Sequence, residues 1–362
     1  MFDFLYNEPQ SLLAVGDAMV ASETMVEALS ATRINLQNVS TCFWGSDDPD
    51  EFAHRQLNIE RNGPEAEQYA TGIDECIEAA TVLMTHFNPV PRSLIEKAVN
   101  LKLILTNRGG LEHIDVKAAT EHGIPVVNVI RNAEPVAEFT LGLMLSVTRN
   151  ISTSHHSLVC GHWQKEFHNS QFVRTLGTMT VGLAGLGNIG IELARRLKAL
   201  GVPMIAYEPY LDQARIERNG LEDIEIVSTL EELFERADIV SLHLRLSPET
   251  EGIVDKRLLS LMKPSAYFIN SARGGLVDYQ DLADVLCSHA IAGAALDVFD
   301  SEPLSADSPL RKADNLTMTS HIAGQTVDAI PRSPFLVARE LTRAIELGNT
   351  ERIVNASALG LA

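Results

Sequence analysis

Residues 180–190 read TVGLAGLGNIG, and their reading decides the fold. Residues 180–183 are a short apolar run of strand type. Gly185, Gly187 and Gly190 follow as G-x-G-x-x-G. Residues 189–200 then carry apolar side chains at Ile189, Leu193, Leu197 and Leu200, one face of a helix. Strand, glycine turn and helix in that order make a dinucleotide cradle. The first glycine permits the tight turn, the second lets backbone approach a pyrophosphate, and the third lets the helix lie close on the strand. The helix start at Asn188 and Ile189 offers N–H groups and the positive dipole end to phosphate. The next strand, 203–207, ends at Glu208, twenty-one residues beyond Gly187. A carboxylate there accepts from ribose hydroxyls and repels a 2′-phosphate. No Arg follows until Arg215, so NAD is favoured over NADP.

Downstream, the alternation continues: helix 229–236, strand 239–243, helix 256–262, strand 266–270, helix 279–288, strands 292–296 and 316–319. Three of these strands run straight into polar residues. Arg273 follows the first, Asp297 and Glu302 the second, His321 the third. Taken singly, each has a plain structural reading: a surface Arg, a turn-forming Glu-Pro, a capping His. Together they place an Arg, carboxylates and a His on the strand ends where open α/β sheets bind ligands. A His near neutral pKa is a natural proton source. A carboxylate bonded to it fixes its tautomer. An Arg offers paired donors to a carboxylate or keto oxygen.

Upstream, apolar runs at 12–15, 82–85, 101–106 and 124–129 alternate with helical patterns at 92–99 and 116–121. That pattern predicts a second parallel, doubly wound sheet. Residues 38–69 read as a polar, irregular excursion. Residues 134–149 read as a helix apolar on most of its circumference, buried between domains or subunits. Residues 150–178 read as a helical arm and loop. They hold His155, His156, His162 and His168, four histidines in 14 residues, at no familiar metal-ligand spacing, so no metal is expected. Residues 328–347 form an amphipathic helix able to return to the first domain.

The chain has 362 residues, about two domains' worth. Twenty-nine Lys and Arg against 48 Asp and Glu leave a net charge of −19. That surface repels phosphate backbones and anionic membranes, so neither nucleic acid nor membrane is an expected partner. The first residues lack the pattern of a signal peptide, and a cytoplasmic location is the expectation. Cys42, Cys76, Cys160 and Cys287 are scattered and read as reduced thiols.

From residue 82 to 326, the motifs fall in one order: Gly185–Gly190, then Leu242-His243-Leu244 with Glu249-Thr250, then residues 270–278, then 297–303, then His321-Ile322. In this they resemble the D-isomer-specific 2-hydroxyacid dehydrogenase family, phosphoglycerate dehydrogenases included. The resemblance implies an α/β protein of two doubly wound parallel-sheet domains with a cleft between them. A flavodoxin-like substrate domain would span 1–127 and 327–362, and a Rossmann coenzyme domain 128–326. It implies that Arg273 orients substrate, that Glu302 pairs with His321, and that His321 is the acid/base. Asp297 would meet the nicotinamide carboxamide, with His243 and Ala272 also at the cofactor. The substrate carboxylate would sit on the loop holding Arg108, Gly109 and Gly110. The partners implied are a small 2-oxo or 2-hydroxy acid, NAD, and a second copy of the chain in a homodimer.

Three departures stand out. Arg245 replaces a usual Pro after Leu-His-x and softens the NAD preference, and Ser320 replaces another before His321. Thr85-His86-Phe87 stands where phosphoglycerate dehydrogenases tend to carry Arg, which argues against a phosphorylated substrate. Arg108 is either a second-anion ligand or a surface residue paired with Glu112. The rival reading is an NAD-sensing interaction protein, because corepressors resemble the same family. The chain shows no disordered tail for partner binding, which favours the enzyme.

Overall fold

The computed structural model describes residues 2–46 and 48–361. The chain divides into two units, one of residues 1–131 with 326–362 and one of residues 132–325.

The first unit is built on five parallel strands: β1 (Gln10–Gly16), β2 (Leu36–Phe43), β3 (Val82–Thr85), β4 (Leu103–Thr106) and β5 (Val126–Val127). Their order is β2-β1-β3-β4-β5, the flavodoxin-like arrangement. β3 and β4 are buried along their whole length, as apolar runs covered on both faces must be. The C-terminal helix Ser333–Leu347 belongs to this unit. Val337, Ala338, Leu341 and Ala344 lie on one face at helical spacing and join the core of Leu12, Val82 and Leu103.

Residues 38–69 correct the expectation of an irregular excursion. They supply most of β2 and a full helix, Pro49–Asn62. β2 is an edge strand with mostly exposed or half-buried side chains, so it lacks the apolar run of a central strand. The helix start does carry a local signal. The Asp48 carboxylate accepts from the N–H groups of Asp50 and Glu51, and Pro49 occupies the first turn.

The second unit has seven parallel strands: β6 (Val181–Ala184), β7 (Met204–Tyr207), β8 (Glu225–Ile226), β9 (Ile239–Leu242), β10 (Tyr267–Asn270), β11 (Gly293–Leu296) and β12 (Leu316–Met318). The order β12-β11-β10-β9-β6-β7-β8 is the Rossmann order with one added strand. The order reverses between β6 and β9, so the crevice at their carboxyl ends is the expected ligand position.

Within one chain, the helix Ala133–Thr148 is packed on one side. Ala137, Leu143, Met144 and Val147 pack within this unit, against a core that includes Leu183, Ile191 and Leu197. Glu138, Gly142 and Leu145 on its other side are exposed. A helix, Ile151–Val159, opens the following arm.

Candidate active site

The glycine turn after β6 takes the conformation its residues allow. Gly185 has φ +105°, where a side chain is strained. A Cβ on Gly190 would lie 2.2 Å from the Gly185 carbonyl oxygen, so only glycine lets the helix Asn188–Ala199 approach the strand. Gly187 is different: its φ is ordinary, and a Cβ there would meet nothing within 4 Å. Nothing in the fold requires this glycine. The open space above it suits the backbone approach of a dinucleotide, so the turn fits the group that its pattern implies.

Glu208 stands at the end of β7, with its carboxylate turned to that loop. One oxygen accepts the Leu186 N–H at 2.7 Å and the other the Tyr210 N–H at 3.0 Å. Arg215 returns to the same loop. Its guanidinium donates to the Asn188 side-chain oxygen at 2.8 Å and to the Leu186 carbonyl. Seven residues separate Arg215 from Glu208 in sequence, but the helix Gln213–Arg218 folds it back. His243 follows β9 and lies behind the turn. Its ring bonds the Ser241 hydroxyl, and burial pushes its pKa down to about 4, so the imidazole is neutral.

Arg273, Glu302 and His321 come together at the carboxyl ends of β10, β11 and β12. His321 Nδ1 lies 2.7 Å from a Glu302 oxygen, and the other Glu302 oxygen accepts the Phe299 N–H at 3.0 Å. Burial raises the Glu302 pKa, but the bonds from His321 and Phe299 and the charge of Arg273 outweigh it and hold the carboxyl below its usual value. With Nδ1–H donated to Glu302, the His321 Nε2 is left for another partner. The pair borders a hollow of about 770 Å³, lined also by Phe299, Pro303 and Met318. The Arg273 turn is braced from beneath: the buried Asn270 side chain donates to the Arg273 carbonyl and accepts the Ala272 N–H.

His321 has φ +56°, an unusual conformation for a non-glycine residue. Asp297 holds it there. One Asp297 oxygen accepts the Thr319 hydroxyl at 2.6 Å and the Ile322 N–H at 3.0 Å, and the other the Ala323 N–H at 2.9 Å. Asp297 is fully buried, so its carboxylate serves the His321 loop rather than solvent.

In the first unit, the loop after β4 carries Arg108, Gly109 and Gly110. Among the described residues, none accepts from the N–H groups of Gly109 and Gly110. Arg108 settles the earlier choice in neither simple form. It is 7% exposed, so it is no surface residue, yet it pairs with Glu60 at 2.9 Å and Glu112 at 3.7 Å. Sequence reasoning passed over two neighbours, Asp17 and Arg131. Each lies just beyond a strand, β1 and β5, the same signal that marked Arg273 and His321. Among the described residues, no group of three or more His, Cys, Asp or Glu side chains is placed to hold a metal. No helix among them is long and apolar enough to cross a membrane.

Comparison with known proteins gives the family. Residues 141–323 match the family described as D-isomer specific 2-hydroxyacid dehydrogenase, NAD binding domain. The chain belongs to the D-isomer-specific 2-hydroxyacid dehydrogenase family. It is 38% identical over 296 residues to D-3-phosphoglycerate dehydrogenase of Methanocaldococcus jannaschii, covering 80% of this chain and 55% of that one. It is also 38% identical over 293 residues to glyoxylate reductase of Thermofilum pendens, covering 78% and 82%. The chain thus spans little more than half the length of the first of these relatives. Among solved structures, a D-isomer specific 2-hydroxyacid dehydrogenase of Lactobacillus delbrueckii shares the fold, with a TM-score of 0.66 at 22% identity over 95% of this chain and all of that one.

Proposed function

We propose that the protein is an NAD-dependent dehydrogenase that interconverts a small 2-oxo acid and its D-2-hydroxy acid. The observation that carries this reading is the Glu302–His321 pair beside Arg273, on the same sheet edge as the glycine turn. Gly185, Gly187, Asn188, Ile189 and Gly190 would hold the NAD pyrophosphate, and Glu208 the adenosine ribose. When bound, NADH supplies the hydride. His321 gives a proton to the carbonyl oxygen in reduction and takes it back in oxidation. Glu302 holds the ring tautomer and stabilises the imidazolium. Arg273 orients the substrate through paired donors. In the first unit, the N–H groups of Gly109 and Gly110 have no acceptor among the described residues and suit a carboxylate. Asp297 is a positioning residue that keeps the His321 loop in its left-handed turn.

We read the first unit as the substrate domain and the second as the coenzyme domain. We also read the chain as a homodimer in the cytoplasm. The exposed Leu158, Val159 and Trp163 of the arm support the dimer.

The test is NADH oxidation by the purified protein with glyoxylate, hydroxypyruvate, pyruvate, phosphohydroxypyruvate and bulkier 2-oxo acids, with NADPH in parallel. One or more should turn over with NADH. His321→Ala should lower kcat by about 10²–10⁴-fold, the usual worth of a positioned acid, with NADH binding retained. Full activity in that variant would remove His321 from the mechanism. NADH binding without turnover of any 2-oxo acid would favour the interaction-protein reading.

A further inference from the structure

The hollow beside Glu302 and His321 is lined by residues of the second unit alone, and the mechanism above uses only one edge of it. Its volume is about 770 Å³. Small-molecule sites occupy about 300–1,000 Å³. A substrate with only a hydrogen or a methyl beyond its keto carbon leaves most of that space unfilled.

Its walls come from short segments at the strand ends. Phe299, Pro303 and Leu304 follow β11, Met318 ends β12, and Ile322 follows His321. Phe299 is buried against the Tyr279 ring, with centroids 6.2 Å apart. Leu304 and Met318 press part of their surface on the core of this unit and are half-buried, as is Ile322. β12 is the edge strand of the sheet, so no further strand covers Met318. The loop that carries Leu304 is held by Arg311. Its Nε donates to the Ser305 carbonyl at 2.9 Å, and a terminal nitrogen donates to the Leu304 carbonyl at 3.1 Å. The wall is therefore preformed, as small-molecule sites require.

The charged groups of the lining are Glu302, His321 and Arg311. Glu302 and His321 bond each other, and Arg311 serves the two loop carbonyls. Thr319 gives its hydroxyl to Asp297. Among the described residues, no side chain of this lining holds a buried polar atom without a partner. The hollow thus presents no buried donors in want of an anion. What it leaves open is apolar surface. Such surface is unfavourable in water, and an apolar group of a ligand removes it from water.

We propose that this hollow receives the side chain of the substrate, and that the substrate is a 2-oxo or 2-hydroxy acid with an apolar side chain larger than methyl, branched or aromatic. This rests on the dehydrogenase reading and deepens it. The acid/base pair stands at the edge of the same hollow, so a keto oxygen at His321 puts the next carbons of the substrate at its mouth. Leu304, Met318 and Ile322 then meet the side chain and set its size. Arg311 is a positioning residue that holds the Leu304 wall. In an apolar pocket, each methylene that fits is worth about 10–200-fold in kcat/KM.

The experiment measures kcat/KM with NADH for pyruvate, 4-methyl-2-oxopentanoate, phenylpyruvate and 2-oxoglutarate, in the wild type, Leu304→Trp and Met318→Trp. At least one of the two apolar acids should exceed pyruvate by about tenfold or more. A Trp at either position fills the hollow and should lower that ratio by about tenfold or more, and the second variant covers a first that fails to fold. Pyruvate equal to or better than both apolar acids overturns the proposal, as does a ratio unchanged in the variants. A kcat/KM for 2-oxoglutarate above both apolar acids also overturns it, because the side-chain end then meets a cation. Turnover of no 2-oxo acid would be a failure of the dehydrogenase reading instead. Calorimetric titration with 4-methylpentanoate and with acetate, in the presence of NAD, then decides the hollow. Binding of 4-methylpentanoate about tenfold or more tighter than acetate, and weakened by either Trp, upholds it. Equal binding of the two acids, or binding of neither, sinks it.

Discussion

Gly187→Ala and Gly190→Ala separate the two jobs of the glycine turn. At Gly187 the new methyl meets no atom within 4 Å and the backbone φ is −67°, so the fold accepts it. Its effect on the free protein should be neutral or a gain of about 0.4–1 kcal/mol from the stiffer unfolded chain. At Gly190 the methyl would sit 2.2 Å from the Gly185 carbonyl oxygen and 3.7 Å from the His243 Cβ. Backbone must move, with a loss of about 1–3 kcal/mol or more. The ligand should reverse the ranking at Gly187, where the methyl would take the space proposed for the pyrophosphate. With NADH at 100 times the wild-type Kd, the wild type gains about 2.7 kcal/mol. For a unit of 150–250 residues, that is a Tm rise of about 5–11 °C. If Gly187→Ala weakens binding about 100-fold, the same NADH concentration gives about 0.4 kcal/mol, a rise of ~1 °C. Thermal unfolding by circular dichroism, with and without NADH, reads both effects, and calorimetry gives Kd directly. A Gly187→Ala protein with wild-type Tm and wild-type NADH stabilisation would refute the placement of the dinucleotide. A Gly190→Ala protein as stable as wild type would refute the packing argument.

Three further outcomes are expected. Asp297→Ala should lower kcat at least about 100-fold by releasing the His321 loop. It should also cost about 1–3 kcal/mol for the Ala323 N–H left buried without an acceptor, and less for the half-buried Ile322 N–H. Steady-state kinetics with unchanged kcat would show that the loop does not need this clamp. Glu208→Ala should narrow the preference for NADH over NADPH, and an unchanged ratio in paired kinetics would withdraw Glu208 from the ribose. The Glu302 pKa is held below its usual 4.5, so the stability it contributes is present above that pH and lost as pH falls through the depressed value. The Tm gap between wild type and Glu302→Gln should therefore persist from neutral pH to about 4.5 and close below it; a gap that does not change down to pH 3 would contradict this.

Much of the second unit was legible because its signals are local. A four-residue apolar run followed by a polar residue marks a buried parallel strand and the rim at its end, where such sheets take ligands. Arg273, Asp297, Glu302 and His321 were all found that way, and the order of motifs carried the family. The edge strand β2 was missed because an edge needs no apolar run. The helix Ala133–Thr148 shows one face packed inside its unit and the other exposed, a division that composition does not give, because it counts apolar residues without saying which neighbour each one meets.

The sequence by itself determined the alternation of strands and helices, the glycine turn, and which residue types stand at strand ends. Only the tertiary structure decided who meets whom. It turned Asp297 toward the loop of His321, brought Arg215 back to Asn188, and joined Asp17 to His86 across 69 residues and His86 to Arg131 across 45. Strand and helix signals arise from neighbours a few residues apart, whereas these contacts follow from strand order and register in parallel sheets. Strands adjacent in such sheets are joined by long crossovers, so side chains far apart in the chain end on the same rim.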